Sequence, residues 1–552
     1  MGEKMYRATI ILLGFVTSTF VFSTVNAQLL LSDNDFIQQE TLGIDATNQL
    51  DAQFGFSLSS IRNRLVIGSP NALINGKKAG AVYLLPGGLS GVLSYPASIK
   101  KYSQDTPEIP GISEAGDQFG YSVAIGMFGA VSRPCTRTDD CLGYLDVVAG
   151  VPFENLGNDV DTGMANMIFP GNADCDINDP NNCGLLYSPL DQLAQSEGLD
   201  GDSEDYDLFG SALAVGDFNN DGVDDLAIGV PGEAVNANLA TAAGAVNVVM
   251  GRSSIGLDIF NDTVFSQSIL PGGARDDERF GSSLTVGDYD GDGVDDLAIG
   301  VPYDVQTAGA NKTGGGVNVV YGAPGTSGGL SISGAQMIHQ DTDSVVGAAE
   351  DNDEFGYVLA SGNFNNDAYD DLAIGVPGED IGNIVNAGAV VILYGSSIGL
   401  KTTGTHSIHE DTIYVNGASE AGDRFGSALA TGDFNNDGID DLAVGSPFEN
   451  IGTASDTGRV SLFFGVQGGR LNSINNDYAF TQGTLGLPGF VTTGARFGHS
   501  LTSGDFDLDG KDDLAVGTAG NMATVGSKNG SVSIIYQKKK FVDFMFENGF
   551  ED

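Results

Sequence analysis

A Phe-Gly pair returns seven times along the chain, at Phe54, Phe119, Phe209, Phe280, Phe355, Phe425 and Phe497, and each return opens the same string of residues. After the pair comes a short apolar run, then a loop of Asp, Asn and Gly, then Asp-Leu-Ala-Ile-Gly-Val-Pro or a close variant, then another apolar run. The interval is 65 to 75 residues, except for the 90 between Phe119 and Phe209, where all four cysteines fall. Such a period removes the need to divide 552 residues into several unrelated domains. Each unit is too small to bury a core alone, so neighbouring units must pack on one another.

Four runs of strand length occur in a unit. In the third they are 211–215, 225–230, 245–250 and 265–270, rich in Val, Ile and Ala and bounded by Gly, Asn, Asp and Pro. No segment sustains a 3.6-residue apolar period, and 80 glycines favour tight turns over long helices. A solenoid would need a shorter repeat and capped ends. The expected fold is therefore all-β, a seven-bladed β-propeller of four-stranded antiparallel blades spanning 28–537. Strand counting also predicts how the ring closes. Fourth strands are expected at 337–341, 407–411 and 479–483, but nothing comparable follows the third strand of the seventh unit at 531–536. A matching segment stands at 35–41, ahead of the first Phe-Gly, so an N-terminal strand is expected to complete the last blade.

Asp and Glu outnumber Lys and Arg by 73 to 24, and the net charge of −49 argues against nucleic acid and anionic membrane as partners. The carboxylates are not scattered. Five loops between first and second strands carry oxygen-bearing side chains at alternating positions: DFNNDGVDD, DYDGDGVDD, NFNNDAYDD, DFNNDGIDD and DFDLDGKDD. Calcium takes six to eight hard oxygen ligands, and carboxylates so close together are tolerable when a cation neutralises them. The expected ligands are Asp217, Asn219, Asp221 and Asp225 with the carbonyl of Val223, and Asp288, Asp290, Asp292 and Asp296 with that of Val294. The same positions give Asn363, Asn365, Asp367 and Asp371 with Tyr369, and Asp433, Asn435, Asp437 and Asp441 with Ile439. The last set is Asp505, Asp507, Asp509 and Asp513 with Lys511, so up to five Ca2+ sites are expected. An EF-hand is excluded because its twelfth-position Glu is replaced by Ile228, Ile299, Ile374, Val444 or Val516. A metal-free hairpin turn would not require acids at these fixed offsets. The Asp288 and Asp505 loops offer four carboxylates each; the Asn363 loop offers two and has Ala368 for its Gly, which makes it the weakest expected site.

Phe-Gly, the acidic loop and the Gly-small-Pro turn (Gly229-Val230-Pro231, Gly300-Val301-Pro302, Gly375-Val376-Pro377, Gly445-Ser446-Pro447) resemble the FG-GAP repeat of integrin α chains over about 36–537. The resemblance implies a seven-bladed propeller with structural calcium in the first hairpin of several blades. The first unit departs from the pattern, with Ser59-Ser60-Ile61-Arg62-Asn63 in place of the loop, and the second carries the cysteine insertion; neither is expected to hold calcium. No von Willebrand-type domain, stalk or transmembrane helix is read in the sequence, so integrin signalling is not expected to carry over.

Lys4 and Arg7, the apolar run 8–22 and Val25-Asn26-Ala27 read as an export signal over 1–27, with an uncleaved anchor as the competing reading. Exported and locally spaced, Cys135–Cys141 and Cys175–Cys183 are expected to form two disulfides in preference to a zinc site. The tail 538–552 ends in Asn548-Gly549-Phe550-Glu551-Asp552, similar to short endings on exported bacterial proteins, and reads either as a sorting tag or as a packed or frayed end. A secreted or cell-surface protein, bacterial by that tail, is the resulting expectation.

No nucleophile elbow, zinc-binding His pair or phosphate-cradling loop stands out. Of the four histidines His339, His406, His409 and His499, the first and third occupy equivalent structural positions in successive units. The preferred reading is a non-enzymatic binding or cell-adhesion scaffold for an extracellular protein or glycan. The alternatives are a propeller lectin, weakened by the absence of Trp, and a hydrolase with a site in the central channel.

Overall fold

The computed structural model describes residues 34–537 except 40–41, 43–48, 50, 89–90, 92–98, 108, 130–144, 169–191, 196–198, 236–240, 254–255, 306–312, 327, 413–416, 472–477, 485–486, 488, 490 and 521–529. The export signal, the four cysteines and the tail lie outside the described residues.

Seven four-stranded antiparallel sheets follow one another around a ring, and no α-helix occurs among the described residues. Blade 3 is typical: Ala212–Gly216 innermost, then Asp225–Val230, Ala245–Val249 and Thr263–Phe265. Each innermost strand touches that of the next blade, and Phe497–Gly504 of blade 7 touches Ser57–Ile61 of blade 1, so the ring is complete. The expected closure is present. Asp35–Ile37 pairs antiparallel with Ser531–Ile535, in the register Asp35↔Ile534, Phe36↔Ser533 and Ile37↔Val532.

The repeated residues explain the ring. Every Phe of the seven Phe-Gly pairs is buried, and each such burial contributes roughly 1.5–3 kcal/mol. Six of the seven pairs bridge to the glycine that precedes the third strand of the previous blade, as in Gly163↔Phe209 and Gly530↔Phe54. The glycine before each Pro turn allows sheets to approach closely. A Cβ on Gly229 would lie 2.1 Å from the carbonyl oxygen of Gly281 in the next blade, which no side chain can accommodate. The cores therefore sit between consecutive blades. One of them joins Val246, Val248 and Phe265 of blade 3 to Leu297, Ile299 and Val301 of blade 4.

The fourth strands differ from expectation. In blade 3 the strand is Thr263–Phe265, where 265–270 was expected, and in blades 4 and 5 it stops at Ile338 and Ile408. The cause is the residue two places on. Gln267, Gln340 and Glu410 are all at most 3 % exposed and turn across the junction to polar partners in the next blade, which takes the backbone out of the ladder. The N-terminal strand stops at Ile37 in the same way, and Gln39 Nε2 donates to Ser69 Oγ and Tyr83 Oη of blade 1, both at 3.1 Å.

Candidate functional site: metal hairpins and an aromatic–arginine face

Each innermost strand begins beside its Phe-Gly pair and ends at the hairpin leading to the second strand. The hairpins therefore gather on one face of the ring and the Phe-Gly turns on the other.

On the hairpin face three of the expected side chains converge in each of two loops, without Asp292 in the one and Asp513 in the other. In blade 4, carboxylate oxygens of Asp288, Asp290 and Asp296 lie within 4.8 Å of one another, and in blade 7 those of Asp505, Asp507 and Asp509 do the same. The curl is fixed by the carboxylates themselves. Asp217 accepts the amides of Asp221 at 3.0 Å and Gly222 at 2.8 Å, and Asp288 accepts those of Asp292 at 3.1 Å and Gly293 at 3.0 Å. Gly222, Gly293, Gly438 and Gly510 all have φ near +85°, the left-handed region in which glycine is unstrained.

The final acid of each loop opens the second strand and is buried. Desolvation pushes Asp225 up to about 7, Asp296, Asp371 and Asp513 to about 8, and Asp441 to about 9, against backbone amides that pull them down. Two buried oxygens in these loops, Asn219 Oδ1 and Asp441 Oδ2, have no hydrogen-bond donor. Buried acceptors without donors, among closely spaced carboxylates, match what a hard divalent cation would satisfy.

The loops are not equivalent. In the Asn363 loop the Asn363 Nδ2, in place of a carboxylate, donates to the carbonyl of Asp367 at 2.8 Å, and Asn365 Nδ2 donates to Asp371 Oδ1 at 3.4 Å as Asn435 does to Asp441 in blade 6. Ala368 does not adopt the left-handed conformation of the glycines it replaces. The Asp505 loop, expected to rank with that of Asp288, contains its own cation: Lys511 Nζ lies 3.1 Å from Asp509 Oδ2. Blade 1 turns through Arg62 and Asn63 between Ser57–Ile61 and Arg64–Ser69, with no acidic loop.

The first Asp of each Asp-Asp pair does something else. Asp295 accepts the Asp217 amide at 2.8 Å, Asp370 that of Asp288 at 3.0 Å, Asp440 that of Asn363 at 2.8 Å and Asp512 that of Asp433 at 3.0 Å. Each hairpin is thereby fastened to its predecessor. The doubled Asp in the repeat was the available signal.

On the opposite face, residues adjoining the Phe-Gly pairs form an aromatic and cationic cluster that the sequence did not reveal. Phe56 packs 5.1 Å from Tyr121 and 5.0 Å from His499, and Tyr121 packs 5.8 Å from Phe153. Arg279 lies over Tyr303 at 5.8 Å, Arg424 over Tyr357 at 5.7 Å and Arg496 over Phe448 at 4.9 Å. Arg424 also pairs with Glu354, whereas Arg279 and Arg496 are exposed. Burial pushes the His499 imidazole down to about 4, with Arg496 adding to the effect, so its ring is neutral and serves as packing. A cavity of about 470 Å3 lies among the innermost strands of blades 1, 2, 3 and 7. The titratable side chains in its lining, Asp224 and Asp295, already accept the amides of Met127 and Asp217.

Five stretches of the chain match a family model described as FG-GAP repeat, at 209–249, 280–317, 355–393, 425–463 and 497–535. This is an FG-GAP repeat protein. The five matched repeats are units 3 to 7, the ones with acidic hairpins. The chain is 36 % identical over 161 residues to rat phosphatidylinositol-glycan-specific phospholipase D, covering 29 % of this chain and 18 % of that protein. It is 30 % identical over 250 residues to Xenopus laevis integrin alpha-5, covering 44 % and 20 %, and 32 % identical over 254 residues to chicken integrin alpha-V, covering 45 % and 21 %. The chain thus spans about a fifth of the length of these relatives. They are animal proteins and lend no support to the bacterial origin expected from the tail. One of them carries the name of an enzyme and two carry the name of integrins.

Proposed function

We propose that the chain is a secreted or cell-surface, calcium-stabilised recognition scaffold, with calcium in its acidic hairpins and a protein or glycan ligand on the opposite face. The observation that carries this reading is the division of the ring into two chemistries. One face collects carboxylates in closed hairpins; the other, whose acids lie at the blade junctions, presents aromatic rings overlaid by guanidinium groups, on a chain of net charge −49. Aromatic surface with an exposed Arg is typical of binding hot spots, and it favours a ligand with carboxylate or other anionic groups. The similarity to integrin α chains suits an adhesive role, but it and the similarity to the phospholipase each cover about a fifth of the relative, so neither by itself brings an activity here.

The test is capture of ligands from extracellular fluid and on a glycan array, with the unsubstituted chain and with Arg279→Ala/Arg496→Ala. The double variant is expected to lose at least tenfold in binding while keeping its calcium. Equal binding would place recognition elsewhere.

The hairpins would hold calcium through the five ligand sets given above, and the ion would supply the positive charge that fixes each turn. The ranking is testable by calorimetric titration. Asp296→Asn should remove the tightest calcium step, because that loop has four carboxylates and no internal cation. Asp371→Asn should leave that step unchanged. The reverse result would contradict the ligand assignment.

A further inference from the structure

A second polar device repeats at the junctions between blades, on the Phe-Gly face and apart from the hairpins. Three positions build it: the Gln or Glu after the fourth strand, the residue two before Phe-Gly, and the residue after the Pro turn. At the entry to blade 3 these are Gln195, Asp207 and Glu233, joined by Glu204, five residues before Phe209. One carboxylate oxygen from each of Glu204, Asp207 and Glu233 lies within 4.8 Å of the others.

Asp207 is 1 % exposed; its Oδ2 accepts the Glu204 amide at 2.6 Å, and its Oδ1 has no donor. Glu204 Oε2 is also buried without a donor. Gln195 Nε2 donates to Glu233 Oε2 at 2.6 Å, and among the described residues none of the three acids takes part in an ion pair.

The junctions into blades 2 and 5 repeat these residue types, as Gln104, Glu114, Asp117 and Glu154 and as Gln340, Glu350, Asp353 and Glu379, but among the described residues without the convergence of three acids within 4.8 Å; two other junctions place a guanidinium in the pocket. At the entry to blade 4, the position of Glu204 is taken by Arg275, whose guanidinium bonds Glu278 at 3.0 Å beside Asp304. At the entry to blade 6, Arg459 approaches Glu449 to 3.6 Å beside Glu410 and Asp423. The guanidinium enters from the loop before Phe280 in one case and from the strand Arg459–Phe463 in the other, so what these two share is the positive charge and not one residue's geometry. The junctions into blades 7 and 1 carry Ala495 with Asn521 and Ala52 with Ala72, and no acid at those positions.

We propose that the junction into blade 3 binds a hard divalent cation, Ca2+ or Mg2+, between Glu204, Asp207 and Glu233, where the junctions into blades 4 and 6 use an internal arginine. Three carboxylates and a side-chain amide are a hard oxygen set, suited to these ions and not to soft metals. The site is separate from the hairpins, so its presence does not depend on their loading.

The experiment is equilibrium dialysis of the full chain against Ca2+ and, in a second arm, Mg2+, with bound metal counted by mass spectrometry. Glu204→Arg, which copies the blade 4 arrangement, and Glu233→Gln are each expected to bind one ion fewer than the unsubstituted protein in the arm whose cation the site takes. That difference of one persists whether or not the hairpins take up metal. Should Glu233→Gln fail to fold, Glu204→Arg at its half-buried position decides, together with Mn2+ anomalous scattering in crystals of the unsubstituted chain. Equal ion counts in all three proteins, or no anomalous peak among these carboxylates, would overturn the proposal and leave a shared proton to balance the pocket.

Discussion

In excess EGTA the protein is expected to melt about 10 °C or more below its calcium-saturated form. A ligand held at a hundredfold its dissociation constant stabilises the folded state by ~2.7 kcal/mol. Four hairpins have three or four carboxylates each. Together they would add roughly 11 kcal/mol, which is about 10 °C for a chain of this length by the usual unfolding entropy per residue. The effect is large because removal of the cation leaves a buried carboxyl in each loop that must take up a proton or stay charged beside its acidic neighbours. Asp225, Asp371, Asp441 and Asp513 are 0 % exposed and Asp296 is 1 % exposed. Lowering the pH should narrow the gap, because calcium requires deprotonated ligands. The check is differential scanning calorimetry with calcium and with EGTA. A gap below about 2 °C would contradict structural calcium.

Deleting residues 1–39 is the second large perturbation. It removes the outer strand of blade 7 and leaves Ser531–Ile535 as an unpaired edge. Ile37 is fully buried, the Tyr536 hydroxyl donates to Asp35 Oδ2 at 2.5 Å, and Gln39 carries the link from blade 7 to blade 1. The truncated chain is expected to oligomerise on a sizing column, because an exposed strand edge templates pairing with another chain. The milder variant Ile37→Ala should stay monomeric and lose about 2–5 kcal/mol of stability. A synthetic peptide of residues 34–42 should restore the truncated protein. A truncated chain that remained monomeric with an unchanged melting temperature would show that the strand is dispensable.

The ring was legible in the sequence because each blade repeats residues with fixed roles. Phe54 and its six equivalents fill junctions, Gly229 and Gly281 allow sheets to touch, and the Ile37-Gln38-Gln39 run has the form of Phe265-Ser266-Gln267, a fourth strand ahead of its blade. The curled acidic hairpins were legible for a related reason, since alternation in a tight loop directs oxygens to one point. What stayed hidden depends on three-dimensional surroundings. Gln267 and Gln340 look like surface residues at a strand end, yet they are buried and cross to the next blade. The residue before each Phe-Gly, from Gln53 and Gln118 to Leu208, Arg279, Glu354, Arg424 and Arg496, is left-handed with φ between 55° and 61°, and none of these side chains advertises that conformation. Phe56, Tyr121 and His499 come from distant parts of the chain and meet only when the ring closes. The ranking of the Asp505 loop needed the position of the Lys511 amine, which a residue count does not supply.

The most direct measurement is native mass spectrometry of the purified chain, first in calcium and then after EGTA. Mass corresponding to at least four calcium ions, one for each hairpin with three or more carboxylates, should be present and then lost. Identical masses before and after chelation, with no bound metal in either, would contradict the central claim that cations hold these hairpins closed.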